Sequence, residues 1–313
     1  MAIQTHTGRQ VIVVGRGTAG IGAAIASARR GAQTLLIESG GHLGGELVTG
    51  LSILTFHAAS GEQHIWGLPQ ELVERAVAIG GSPGHLDVHG GHVPTITYIE
   101  PECFKVLANR MVQESGAQLL FHSVVTDALV EDGRLRGLEV HNKSGRQVYT
   151  ADVVIDATGD GDVAAHAGAA YDLGRPADGL QMAMTLMFRL GGVDLARIPA
   201  SLDDGRTYGV KPGDTQRSFV RVQGLLRPWA AQIEAENLFT DGGNHLIALS
   251  TLWPDAVNVN TLRLLRLDGT SAADLSKTEV EAREHLRRIA EFLKRNVHGF
   301  ETSYLIRAAS RQA

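Results

Sequence analysis

The stretch from Val11 to Glu38 leaves the chain few folds to choose from. Val11 to Val14 is an apolar, β-branched run, of the kind that is buried on both faces of a parallel sheet. It ends in Gly15-Arg16-Gly17-Thr18-Ala19-Gly20, after which Thr18 to Arg30 reads as an Ala- and Ile-rich helix closed by Gly31. Thr34 to Ile37 is a second buried strand, and Glu38 stands at its end. Strand, glycine turn, helix and strand make a βαβ unit. The spacing G-x-G-x-x-G with an acid at the end of the second strand is the dinucleotide fingerprint, and each residue has a physical task. Gly15 permits the tight turn, Gly17 lets backbone approach a pyrophosphate, and Gly20 with Ala24 lets helix and strand pack closely. Free N–H groups at the helix start, from Thr18 and Ala19, meet the phosphates. Glu38, followed by Ser39, can accept hydrogen bonds from both hydroxyls of an adenosine ribose, and its charge disfavours a 2′-phosphate.

The remainder reads as α/β with a parallel sheet, an inserted antiparallel meander and a second, mixed β-rich domain. A helix is expected from Pro69 to Ile79 and another from Glu100 to Ser115. Strands are expected at Gln118 to Phe121, Val124 to Val130, Leu135 to His141, Gln147 to Tyr149 and Val153 to Ala157, with Asp132-Gly133 and Ser144-Gly145 as tight turns. Beyond residue 169 the strands carry polar residues (Met182 to Leu190, Phe219 to Gln223, Leu246 to Leu252). A long amphipathic helix begins at Ser276, with a Ser276/Glu279 capping box and Val280, Leu286, Ile289, Phe292 and Leu293 on one face. The division expected is 1–168 for the nucleotide domain, 169–275 for a substrate domain, and 276–313 for a helix returning to the first domain.

The fingerprint alone does not separate FAD from NAD. Leu43-Gly44-Gly45 is a second close-approach turn, placed where a flavin nucleotide would continue past the pyrophosphate. Ala157-Thr158-Gly159-Asp160-Gly161-Asp162 is a strand-to-helix turn that can pack against the adenosine and pyrophosphate half, and Val125 in the meander joins the candidate contacts. With these residues, the run Ile155 to Ala164 (IDATGDGDVA), the run Met184 to Asp194 (MTLMFRLGGVD) and Tyr98 to Phe104, the chain resembles an FAD-dependent oxidoreductase family of the glutathione-reductase-like superfamily. The resemblance implies a Rossmann-like FAD domain, a mixed substrate domain and non-covalent FAD, with hydride passing between the flavin and a small organic substrate. It further implies an additional segment after His298-Gly299-Phe300-Glu301 that closes the flavin-ring pocket. Only twelve residues follow here, so a firm adenosine site and a looser ring site are expected. Two other readings stay open: an NAD-binding enzyme of the thiazole-forming kind, and a non-catalytic adenine-nucleotide module.

Composition narrows the chemistry. Lys plus Arg number 29 against 34 Asp plus Glu, a net charge of −5, so no basic surface points to nucleic acid or anionic lipid. The partners expected are a small-molecule substrate and an unnamed electron acceptor, with self-association left open. A single cysteine, Cys103, excludes an internal disulfide and a cysteine-only zinc site. No apolar stretch suits a membrane span and the first ten residues lack a signal-peptide core, so a cytoplasmic protein is expected. Six of the 13 histidines (His42, His57, His64, His85, His89, His92) fall in the loops after the fingerprint. His89-Gly90-Gly91-His92 lacks the carboxylate or cysteine that would complete a metal site, so no metal is expected. His42 and His57 flank the turn that should face the flavin ring and are the candidate acid–base groups. Arg189 interrupts an otherwise apolar strand, as a clamp for a substrate carboxylate would or as a salt bridge on the sheet would.

Overall fold

The computed structural model describes residues 3–88, 93–209, 219–239 and 243–309. In chain order its elements are β1 (Gln4–Val14), α1 (Thr18–Arg29), β2 (Thr34–Ile37), β3 (Ile53–Leu54), α2 (Leu68–Ala78), β4 (His85–Asp87), β5 (Thr95–Thr97) and α3 (Pro101–Glu114). There follow β6 (Gln118–Leu120), β7 (Ser123–Glu131), β8 (Arg134–Asn142), β9 (Gly145–Asp156), α4 (Asp162–His166), β10 (Phe188–Gly191), β11 (Asp203–Gly209) and β12 (Val220–Leu225). The chain ends with α5 (Ala230–Ala235), β13 (His245–Ser250), β14 (Val257–Asn260), α6 (Ala272–Asn296) and β15 (Tyr304–Ala308). Among the described residues no helix is long and apolar enough to cross a membrane.

The chain divides into two compact units, 1–47 with 101–172, and 48–100 with 173–313. In the first, six strands lie in the order β6-β2-β1-β9-β8-β7. β6, β2, β1 and β9 are mutually parallel, whereas β9, β8 and β7 form the antiparallel meander. Every residue of β2 is buried, as a strand covered on both faces requires. The strands expected at Gln147 to Tyr149 and Val153 to Ala157 are one continuous strand, β9. It serves two neighbours: Gln147 to Tyr149 pair with both β8 and the start of β1, and Val153 to Asp156 pair with the end of β1. β1 reaches back to Gln4 because that second partner extends it.

In the second unit six strands run β11-β12-β13-β14-β10-β15, and a small sheet runs β3-β5-β4. Only Phe188–Gly191 of the strand expected from Met182 is regular; Met182 is exposed and Met184 makes an isolated bridge to Leu264. α6 starts earlier than its Ser276 signal suggested. Ser271 is its N-cap, accepting from the Asp274 N–H, while the Ser276 hydroxyl donates to the Ala272 carbonyl within the helix. Val280 is 72% exposed and leaves the expected apolar face, but Leu286, Ile289, Phe292 and Leu293 are buried with Leu190, Val222, Leu246 and Val257 in one core.

The expected division is corrected in two places. α6 belongs to the second unit, because its buried face is part of that unit's core. Residues 48–100 belong there too: Leu86, Ile96 and Tyr98 of the small sheet and its flank share an apolar cluster with Phe219.

Candidate functional site

In the first unit three strand ends carry the candidate nucleotide contacts. β1 ends at the glycine turn, β2 at Glu38 and β9 at the Ala157 turn, all at the carboxyl ends of parallel strands, where open α/β sheets bind ligands. Gly15 has φ +114°, and a Cβ there would overlap the Ala157 carbonyl. The Ala157 N–H donates to the Val14 carbonyl at 2.8 Å. These contacts join two motifs that lie far apart in the sequence. Gly20 has no room for a side chain either, because a Cβ would overlap the Gly15 carbonyl. Gly17 differs: nothing lies within 4 Å of where its Cβ would be. It is the N-cap of α1 with no side-chain cap, and Thr18 and Ala19 behind it are exposed. Open space before unpaired helix N–H groups is the shape a pyrophosphate fits.

The second glycine pair supports this turn. The Gly44 N–H donates to the Arg16 carbonyl at 2.8 Å, and a Cβ on Gly45 (φ +51°) would stand 2.8 Å from the Gly17 Cα. Their close approach is to the phosphate turn itself. Asp156, which sequence reasoning passed over, organises the third strand end. Its carboxylate accepts from the Thr158 N–H (3.0 Å), the Thr158 hydroxyl (2.7 Å) and the Ala164 N–H (2.8 Å), and the Thr158 oxygen accepts from the Asp162 N–H (3.0 Å). Burial opposes the charge, but these hydrogen bonds outweigh it and hold the Asp156 carboxyl below its ordinary value. The aspartate in the strand end is therefore the brace of the turn, with Gly159 exposed beyond it. Val125 lies partly buried against the cluster of Ile12, Val14 and Leu35, beside the irregularity in the β7–β8 ladder.

Glu38 is 3% exposed. Its Oε1 accepts from the Gly40 N–H and the Ser39 hydroxyl and lies 3.6 Å from Arg16 Nε. Arg16 Nη1 in turn stands 3.4 Å from His42 Nε2, and His42 Nδ1 lies 3.0 Å from the Leu43 carbonyl. Guanidinium only donates and a carbonyl only accepts. His42 is therefore neutral, with the proton on Nδ1 and the Nε2 lone pair given to Arg16. Burial first, and the Arg16 charge after it, push its pKa down. Both ring nitrogens of His42 are thus committed in the structure, which leaves no free nitrogen for the acid–base role expected of it.

The other catalytic candidates lie in the second unit. Arg189 is 5% exposed. Its Nε donates to Asn258 Oδ1 (2.9 Å), Nη1 to Glu100 Oε1 (3.2 Å), and Nη2 to Glu100 Oε2 (3.1 Å) and the Tyr98 hydroxyl (2.9 Å). Its guanidinium carbon stands 5.2 Å from the centre of the Trp253 ring. Burial pushes the Tyr98 phenol up, so it remains a neutral partner that donates to Glu100 at 2.7 Å. Asn258 passes its amide hydrogen to the Gly50 carbonyl at 2.8 Å. Of the two readings of Arg189, clamp or salt bridge, the structure contains the salt bridge: the fork is spent on a carboxylate of the same chain.

His57 retains a free nitrogen. Its Nδ1 is buried with no hydrogen-bond partner, and its ring meets that of His85 edge-on at 5.2 Å. His85 is fully engaged, with Nε2 donating to Gln70 Oε1 (2.9 Å) and Nδ1 accepting from the Thr97 hydroxyl (2.7 Å). Burial and the neighbouring His57 push the His85 pKa down. His89 and His92 lie outside the described residues, and among the described residues no cluster of His, Cys, Asp and Glu is arranged to hold a metal.

A family model described as "FAD dependent oxidoreductase" matches residues 10–312. The chain belongs to that family. FAD is the cofactor, and the turn at Gly15 to Gly20, the carboxylate of Glu38 and the brace at Thr158 fit its adenosine and pyrophosphate half. Solved structures share the fold. A geranylgeranyl bacteriochlorophyll reductase-like protein from Thermoplasma acidophilum superposes with a TM-score of 0.57 at 17% identity, over 99% of this chain and 66% of that one. The p-nitrophenol 4-monooxygenase of Pseudomonas putida gives 0.57 at 11%, over 98% and 68%. The glycerol-3-phosphate dehydrogenase of Bacillus halodurans, solved with FAD, gives 0.50 at 12%, over 97% and 57%. The chain thus spans about two thirds or less of the length of the first and third of these proteins.

Proposed function

We propose that this oxidoreductase, a member of the glutathione-reductase-like superfamily, passes a hydride between a small organic substrate and non-covalently held FAD, and then exchanges electrons with a separate acceptor. The observation that carries this reading is the convergence of Gly17, Glu38 and the Thr158 turn at the ends of three parallel strands. Backbone N–H groups at the start of α1 bind the pyrophosphate, and Glu38 accepts from the adenosine ribose. Gly44 and Gly45 fix the phosphate turn from behind. When bound, FAD supplies the two-electron chemistry, and the protein supplies orientation and proton handling.

His57 is the side chain we assign to the proton. His42 and His85 have both ring nitrogens occupied, whereas His57 Nδ1 has none of its hydrogen-bonding capacity used. An imidazole with a free nitrogen can take up or release a proton as the substrate is oxidised or reduced. The experiment is to purify the protein, record the visible flavin spectrum, and follow bleaching on anaerobic mixing with candidate alcohols, amines and acids, for the unaltered protein and for His57→Gln. Substrate-dependent bleaching, slowed in His57→Gln, is the expected result. A protein that binds FAD but whose flavin no organic donor reduces overturns the reaction class.

A further inference from the structure

Arg16 occupies an unusual place for a cation, between the two glycines of the phosphate turn. Its side chain is 11% exposed and that of Glu38 4%. The guanidinium lies along the Glu38 carboxylate, with Nε 3.6 Å from Oε1 and Nη1 3.4 Å from His42 Nε2. The local chain is built around it. A Cβ on Gly40 would overlap Arg16 Nη1, so only glycine lets the guanidinium lie there. The contact is nevertheless imperfect, since Arg16 Nε is buried and makes no hydrogen bond. The ribose-binding acid thus has a buried, incompletely satisfied arginine beside it. In dinucleotide-binding folds an acid at the end of the second strand accepts from free ribose hydroxyls, and a nearby arginine accommodates a 2′-phosphate. This chain carries both groups in contact.

We propose that Arg16 is a specificity-determining residue of the adenosine-ribose subsite. It is the cation of a 2′-phosphate site that Glu38 keeps closed. With Glu38 present, the arginine is neutralised and the carboxylate repels a second anion, so adenosine with free hydroxyls binds. Without that one charge, the same pocket has a fork-shaped donor at hand for a phosphate. His42 holds the guanidinium from the other side by its Nε2 lone pair, a neutral contact that leaves Glu38 as the group that balances its charge. The inference rests on the placement of FAD's adenosine half at Glu38.

The test uses the full chain stripped of flavin, with titration calorimetry of FAD, adenosine 5′-diphosphate and adenosine 2′,5′-bisphosphate. The unaltered protein should bind FAD and prefer the diphosphate. Glu38→Gln, which keeps the shape and removes the charge, should move the preference toward the 2′-phosphorylated ligand by about tenfold or more, the worth of one charge-assisted hydrogen bond. Adding Arg16→Met to Glu38→Gln should abolish that gain. Arg16→Met alone should weaken the bisphosphate more than the diphosphate, which keeps the proposal testable if the Glu38 variant fails to fold. A Glu38→Gln protein that keeps the unaltered ratio, or a double variant that retains the gain, overturns the role of Arg16. Failure of the unaltered protein to bind FAD or either nucleotide would instead overturn the placement at Glu38. Normal FAD binding with no shift in selectivity would leave that placement standing and refute only this inference.

Discussion

Replacing Arg189 by methionine separates a structural arginine from a substrate-binding one. Methionine fills a similar length without charge, so the change strips Glu100 of its ion pair and leaves Tyr98 and Asn258 each short of a donor. The Arg189 and Glu100 side chains are each 6% exposed, so water cannot replace what is lost. Removing one member of a buried pair costs about 3–5 kcal/mol, mostly from the stranded charge. Glu100→Gln should cost a similar amount, but the double variant should cost clearly less than the two together, with a coupling of about 2 kcal/mol or more. Urea unfolding of the four proteins gives the cycle. A loss below about 1 kcal/mol for Arg189→Met, with a large rise in KM for an acidic substrate, would refute the reasoning and return the arginine to the substrate.

Other perturbations read other parts of the molecule. Gly17→Val should abolish FAD binding yet leave unfolding unchanged, because the space before Gly17 is open; a variant that purifies with stoichiometric flavin would contradict it. Gly15→Ala should instead lower stability, as its φ of +114° and the Ala157 carbonyl leave no place for a methyl group, and thermal unfolding checks this. Glu38→Ala should weaken FAD by about 1.5–3 kcal/mol, the range for hydrogen bonds to a charged group, measured by titration of the apoprotein. His42, His85 and His245 have pKa values pushed below 6.5, in each case chiefly by burial. The unfolded chain then binds protons more readily, so their contribution is intact above pH 6.5 and is lost as pH falls from there toward the lowered values. His85→Gln should flatten that decline in unfolding free energies taken between pH 7.5 and pH 5 (about one pKa unit either side of free imidazole).

The nucleotide half of the site was legible because its signals are local. Gly15 to Gly20, Thr34 to Ile37 and Glu38 lie within one βαβ unit, and the structure puts β2 at the residues the apolar run predicted. The Thr158 turn was legible as a turn, but its brace was not: Asp156 reads as a strand residue until the N–H groups of Thr158 and Ala164 converge on it. For Arg189 the sequence left a clamp and a salt bridge both open, because Glu100, Tyr98 and Asn258 lie far from it in sequence and no periodicity announces a contact of that kind. The histidines fared similarly. Which of them keeps a free nitrogen depends on neighbours such as Arg16 and Gln70 that are close only once the chain is folded. Spacing put Val280 on the apolar face, yet it is exposed, and α6 is capped by Ser271 rather than Ser276.

The pairing of β1 with β9 has a consequence for how the protein is made. Gly15 must face Ala157, but between them the chain leaves the first unit for the whole of 48–100 and then returns. A nascent chain therefore carries its completed glycine turn and first helix long before the strand that buttresses them has been synthesised. Parallel strands joined over such a distance are slow to form, because the loop must close before any contact repays it. Until β9 emerges, one side of β1 is an open apolar edge of the sort that invites wrong partners. Translation order thus makes the cofactor grip a late event, and pausing before residue 145 would prolong the interval in which that edge stays open.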